Sequence, residues 1–232
     1  MTRAIFRKDL AVLWATPVPF VVGALFQAVL GILFVDQLQG RSQALVQPLF
    51  PLTGFLLLVT VPILSMRALA DEARSGTLDV LLAIPVGARP LVLGKWLATT
   101  ATILAVTAPA GAYAAMVALF GDPDPGPMIA GFVGLALLIA ALAALGVLAS
   151  ACTTSAPVAA MFTFVIAAVL WFSGTASATI SAGGLLAHLS LSERLRSFAG
   201  GSLDTGDIGF LVALTVACLG LAGAAVQARR QR

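Results

Sequence analysis

The feature that most constrains this chain is a series of six long, nearly uncharged stretches, each close to the length a helix needs to cross a lipid bilayer. A hydrocarbon core of roughly 30 Å takes about 20 helical residues. The stretches cover residues 17–35, 48–66, 91–120, 128–150, 157–180 and 208–226. With no water in the bilayer to satisfy backbone N–H and C=O groups, each must close its own hydrogen bonds as a helix. Composition points the same way: 60% of the 232 residues are hydrophobic and 10% charged, where a soluble domain has about 45–50% and 25%. The expected fold class is an all-α integral membrane protein, a six-transmembrane-helix bundle forming one domain over residues 1–232. The first apolar run is long and follows Arg3, Arg7, Lys8 and Asp9, which predicts a retained N-terminus rather than a cleaved signal.

Basic residues sort by loop. With the N-terminus inside, the cytoplasmic side receives Arg3, Arg7, Lys8, Arg67, Arg74, Arg89, Lys95, Arg229, Arg230 and Arg232, ten of the 13 Lys and Arg, and the other side Arg41, Arg194 and Arg196. That bias predicts cytoplasmic N- and C-termini. Lys95, inside the third run, is expected to snorkel to the cytoplasmic interface unless the span begins a turn later. Pro51, Pro62 and Pro109 lie within runs and predict kinks. Gly131, Gly134 and the small residues of 140–146 predict close helix contacts. Trp14, Trp96 and Trp171 are expected as anchors at the membrane interface.

Two further helices are expected outside the spans. Over residues 1–16, Phe6, Leu10, Leu13 and Trp14 recur on one face with Arg3, Arg7 and Lys8 off it, the pattern of a helix lying in the interface. In the loop 181–207, Ser190 and Glu193 read as a capping box opening a short extracytoplasmic helix with Leu191, Leu195 and Phe198 on one side, ended by Gly200 and Gly201.

Catalytic signatures are missing from the sequence. There is no phosphate-binding loop of the Walker type, no HExxH and no GxSxG, and His188 is the single histidine, so no ATPase or other enzyme site and no cofactor is expected in this chain. Cys152 and Cys218 have no metal or disulfide spacing and read as packing residues. The dispersed positive charge gives no nucleic-acid patch. His188 is expected to form hydrogen bonds near the outer interface, and Arg194 and Arg196 to snorkel from their helix. The fourth to sixth runs carry no deep ionisable residue, whereas ion-coupled carriers use such groups to bind the coupling ion; a transporter built this way draws its energy from a partner.

The loop at 67–90 is the most informative. Thr77 can cap a short helix whose Leu78, Leu81 and Leu82 form an apolar face, with Pro85 near its end and Asp71, Glu72 and Arg74 just before it. An apolar knob ringed by charge at a membrane surface usually meets a partner. The stretch DEARSGTLDVLLAIPV at 71–86, followed by LVLGKWLA at 91–98, resembles the corresponding loop of ABC-2 type transporter permeases, and more particularly of the gliding-motility and nitrous-oxide-reductase-maturation group. The residues from His188 through Phe198 to Gly201, Leu203, Asp204 and Asp207, and the closing Ala228, Arg229 and Arg230, are similar to that group's last loop and basic C-terminus.

The resemblance implies a permease subunit of an ATP-driven transporter in the bacterial cytoplasmic membrane. A coupling helix between the second and third spans would insert into a separate ATP-binding subunit, which holds ATP and Mg. The coupling residues it implies are Asp71, Glu72, Arg74, Gly76, Thr77, Leu78, Leu81 and Leu82. The permease is expected to pair with a second copy, as a homodimer, or with a close relative, and to export a substrate that the apolar walls suggest is amphipathic or apolar. The alternative from another class is a non-transporting membrane scaffold that docks a cytoplasmic partner. The short links between the first and second and between the third and fourth spans leave little external protein for a large substrate-binding domain.

Overall fold

The computed structural model describes residues 2–39, 46–75, 87–120, 124–177 and 188–229. The described residues form ten helices and no strand: α1 (Thr2–Ala15), α2 (Val18–Gln39), α3 (Leu49–Ser65), α4 (Arg67–Arg74), α5 (Ala88–Thr107), α6 (Ala110–Phe120), α7 (Pro125–Cys152), α8 (Ala156–Ser177), α9 (Leu191–Ala199) and α10 (Thr205–Arg229). Among the described residues six apolar segments are long enough to cross a membrane, with α3 and α4 together making one and α5 and α6 another. The chain is a multi-pass membrane protein, and its spans start within a few residues of those read from the sequence.

Helix α7 is the hub. It packs against α3, α4, α5, α8, α9 and α10. In lipid, association rests on close packing rather than on hydrophobic burial, and α7 meets its neighbours through small residues. A Cβ on Gly131 would lie 2.4 Å from the Phe50 ring, one on Gly134 2.5 Å from Phe198, and one on Gly146 2.0 Å from Ser65 Oγ. Around this hub Leu57, Ile103, Leu138, Ile139 and Leu142 are fully enclosed. The outer helices α2, α8 and α10 instead turn Leu25, Ile32, Met161, Phe162, Val169, Val216 and Leu221 outward, the surface a bilayer would cover.

Several threonine hydroxyls inside the bundle are satisfied within their own helices. Thr53, Thr102, Thr163 and Thr215 each donate to the carbonyl four residues earlier, at 2.7–2.9 Å. Such back-bonding consumes the polarity of these threonines locally.

The prolines behave differently from one another. Pro51 falls in the first turn of α3, where a missing N–H costs nothing, so it produces no break. Pro62 is carried within α3. Pro109 separates α5 from α6, and there Gln27 of α2 donates Nε2–H to the Val106 carbonyl at 3.1 Å while the Tyr113 hydroxyl donates to the Gln27 carbonyl at 3.1 Å. The interrupted span is re-satisfied by a neighbouring helix.

Candidate coupling site

One end of the bundle, here the proximal face, gathers α1, α4, the first turns of α5 and the last turns of α7 and α10. Leu69, Leu91, Val92, Val147, Ala151, Ala222 and Val226 form a small apolar cluster there, with Ile5 of α1 against it. Helix α1 lies on α5 because Gly94 has no side chain: a Cβ there would stand 2.8 Å from Ile5 and 3.2 Å from the Thr2 carbonyl.

Helix α4 is amphipathic and short. Its Leu69 and Ala70 are buried, while Arg67 and Asp71 pair at 3.9 Å on the outside and Arg74 is exposed at its end. Ser75 closes it by donating its hydroxyl to the Asp71 carbonyl at 2.9 Å. Its start is held from a different span. The Leu69 and Ala70 amides both donate to Ser150 Oγ of α7 at 2.9 Å, and Ser150 donates to the Met66 carbonyl at 3.0 Å.

Its middle is held by charge. Lys95 of α5 lies with its Nζ 2.9 Å from Glu72 Oε1 and 3.3 Å from Asp9 Oδ2 of α1, its side chain only 5% exposed. Lys8 approaches Glu72 from outside at 3.7 Å. Lys95 therefore does not snorkel to water as the sequence suggested. An ammonium withdrawn from solvent needs compensating charge, and here two carboxylates from two other helices supply it. Helices α1 to α5 line a cavity of about 290 Å³, in which Val12, Leu13, Ile63 and Leu64 stand beside Asp9, Arg67, Asp71, Glu72 and Lys95.

Of the expected coupling residues, Asp71, Glu72 and Arg74 are thus brought onto one short helix, Asp71 and Arg74 facing out and Glu72 facing in. Gly76, Thr77, Leu78, Leu81 and Leu82 lie outside the described residues. Sequence reasoning missed Asp9, Lys95 and Ser150. Lys95 carried a signal, as a charge within an apolar run; Asp9 and Ser150 carried only their positions on helix faces.

At the opposite, distal end, Ser190 Oγ accepts the Glu193 amide at 3.3 Å to open α9, and Leu191, Leu195 and Phe198 are buried. The chain leaves through Gly201 at φ 88°, a left-handed turn that glycine adopts without strain. Arg194 does not snorkel. It pairs with Asp207 of α10, donates to the His188 carbonyl, and lies 4.0 Å from the centre of the Phe210 ring. Arg196 is exposed beside Glu193. Nor are two of the tryptophans interfacial anchors: Trp96 donates Nε1–H to the Ala140 carbonyl at 2.9 Å inside the bundle, and Trp171 is buried against Gly54.

The sequence model of the ABC-2 family transporter proteins matches residues 4–193, from the first turn of α1 through the start of α9. The chain belongs to the ABC-2 transporter family. No curated protein matches the sequence. As an ABC-2 protein the chain is a permease component of an ABC transporter, a membrane subunit that works with a separate ABC ATP-binding partner. The proximal face holds Asp71, Glu72 and Arg74, the three expected coupling residues that fall among the described residues.

Proposed function

We propose that this chain is the permease of an ABC-2 exporter of the gliding-motility and nitrous-oxide-reductase-maturation type, working as a homodimer with the proximal face in the cytoplasm. In this reading the ATP-binding subunit docks on α4 and the residues that follow it, including Gly76, Thr77, Leu78, Leu81 and Leu82. The observation that carries it is the bracing of α4. Ser150 holds its start, Lys95 holds its middle, and Asp71 and Arg74 are left outward.

A helix meant to receive a push must be rigidly joined to what it moves. Bonds from α4 reach α7, α5 and α1, so a displacement at residues 71–74 is shared among three helices instead of being absorbed by a loose loop. Glu72 then acts by fixing the posture of the docking segment, while Asp71, Arg74 and the apolar residues beyond meet the partner. The apolar outer and inner walls favour an amphipathic or apolar cargo.

The test is purification of the tagged chain from its native membranes in several mild detergents. An ABC ATP-binding protein is expected to copurify, and to be lost on Leu78→Asp with Leu81→Asp while the permease still inserts. Recovery of the chain without any such protein in every detergent would overturn the reading and favour a scaffold role.

A further inference from the structure

The joint between α3 and α4 carries a hydrogen-bond pattern that neither helix explains alone. In an unbroken helix the Ala70 N–H is given to the carbonyl four residues earlier, that of Met66. Here it goes to Ser150 Oγ at 2.9 Å, and Ser150 passes its own proton to that same Met66 carbonyl at 3.0 Å. A hydroxyl from another span stands inside the ladder. It also takes the Leu69 N–H at 2.9 Å. Serine has one proton to give and two lone pairs to accept with, so all three capacities are used, at a residue with 0% exposure.

Side-chain insertion into the i→i−4 ladder is a known cause of helix breaks, and no other cause is at hand. Pro62 lies a full turn earlier, and Met66 keeps helical angles, φ −56° and ψ −31°. Met66 itself therefore carries no strain that would hold the joint open. If the hydroxyl withdrew, the Ala70 amide could return to Met66, the Leu69 amide to Ser65, and Ser150 could back-bond to Gly146 within α7, as the bundle's threonines do. Three bonds would replace three bonds. Two arrangements so nearly matched are what a switching element needs.

The approach of α7 is built for this contact. Gly146 and Ser150 are four residues apart, on one face of α7. With a side chain at 146, a Cβ would lie 2.0 Å from Ser65 Oγ and 2.5 Å from Ser65 Cβ. Only glycine lets the helices close far enough for Ser150 to reach the next turn.

We propose that Ser150 is a positioning residue for coupling: its hydroxyl is a wedge that sets the angle between α3 and α4, and its insertion or withdrawal passes movement of α4 to α7. This rests on the coupling reading of α4 given above.

The native Cys152 is exposed at the end of α7 and offers a reporter. Paired with Arg74→Cys at the exposed end of α4, in a Cys218→Ala background, it allows spin-label distances to be measured by pulsed electron resonance in the full chain alone, while binding and ATP turnover are read in unlabelled chains that keep Arg74. With the labelled chain diluted in unlabelled chain, a single narrow distance within one protomer is expected with Ser150. Ser150→Ala, in which the ladder closes on itself, is expected to shift and broaden it, and Ser150→Thr, which keeps the hydroxyl, to restore it. In the complex, Ser150→Ala is expected to lower permease-dependent ATP turnover by about tenfold while the amount of bound ATP-binding subunit stays near that of the parent. An unchanged distance in Ser150→Ala overturns the proposal. If that variant does not accumulate, Gly146→Ala, which keeps Ser150 but pushes α7 off Ser65, must show the same shift, and parental distances there overturn it equally. Absence of any ATP-binding subunit with the parent chain defeats the coupling reading alone, since the distances still decide the wedge.

Discussion

Lys95 is held at the boundary between a water-facing and a lipid-facing environment by Asp9 and Glu72, each from a different helix. Removing one member of a buried ionic cluster costs more than the cluster contributes, because the remaining charges stay desolvated and, here, repel each other. Lys95→Met is expected to destabilise the protein by on the order of 3–5 kcal/mol, read as a lower melting temperature of the detergent-solubilised chain by intrinsic tryptophan fluorescence. Combining it with Asp9→Asn and Glu72→Gln removes all three charges together and is expected to recover most of the loss. An unaltered melting temperature in Lys95→Met would show that water reaches the cluster freely. Glu72→Lys would set a third ammonium beside Lys8 and Lys95, and is expected to expose α1 and α4 to limited proteolysis without preventing membrane insertion; protection equal to the parent chain would count against the bracing role. The sequence exposes Lys95 as a lone charge in an apolar run but not its partners. Those partners sit on separate helices, and a pairing across helices follows from tertiary packing, which periodicity along one helix does not encode.

At the scale of elements, the positions of the spans were legible because each is a run of apolar residues with its own hydrogen bonds, and no neighbour is needed to specify it. The capping of α9 was legible for the same reason, since Ser190 and Glu193 act over three residues. What joins the elements was not. Gly131, Gly134 and Gly146 announce close contacts on α7, yet their partners Phe50, Phe198 and Ser65 come from other helices. Pro51 and Pro109 look alike in sequence, but only Pro109 interrupts a span. The seat of α9 gives a direct check. Gly134→Ala places a methyl group where Phe198 packs, and overpacking of this kind costs about 1–3 kcal/mol. The expected outcome is faster hydrogen exchange across α9 with little change in α1 and α4 at the far end, whereas uniform loss of protection would mean that α7 does not divide the bundle into separately seated parts.

For the whole molecule, sidedness is the property on which the docking site depends. Residues 67–75, the exposed Cys152 and the end of α10 share the proximal face, and Leu203, 54% exposed, lies at the distal one. An even number of spans puts both chain ends on the same side, and the loops of that side carry ten of the 13 basic residues. Translocating such loops is unfavourable because lysine and arginine are retained on the cytoplasmic side during insertion and are then held by anionic lipid there, at about 1 kcal/mol per residue near the surface. Each end of the bundle can be interrogated with a thiol, one of them native. In intact cells a membrane-impermeant maleimide is expected to modify Leu203→Cys and to leave Cys152 untouched, and permeabilisation is expected to make Cys152 reactive. The buried Cys218 stays silent in both conditions and serves as the internal control. The reverse pattern would put α4 and residues 76–86 on the side without ATP, and no ATP-binding subunit could then reach them. Agreement would leave the braced helix facing the compartment that supplies nucleotide, as coupling through Ser150 and Lys95 requires.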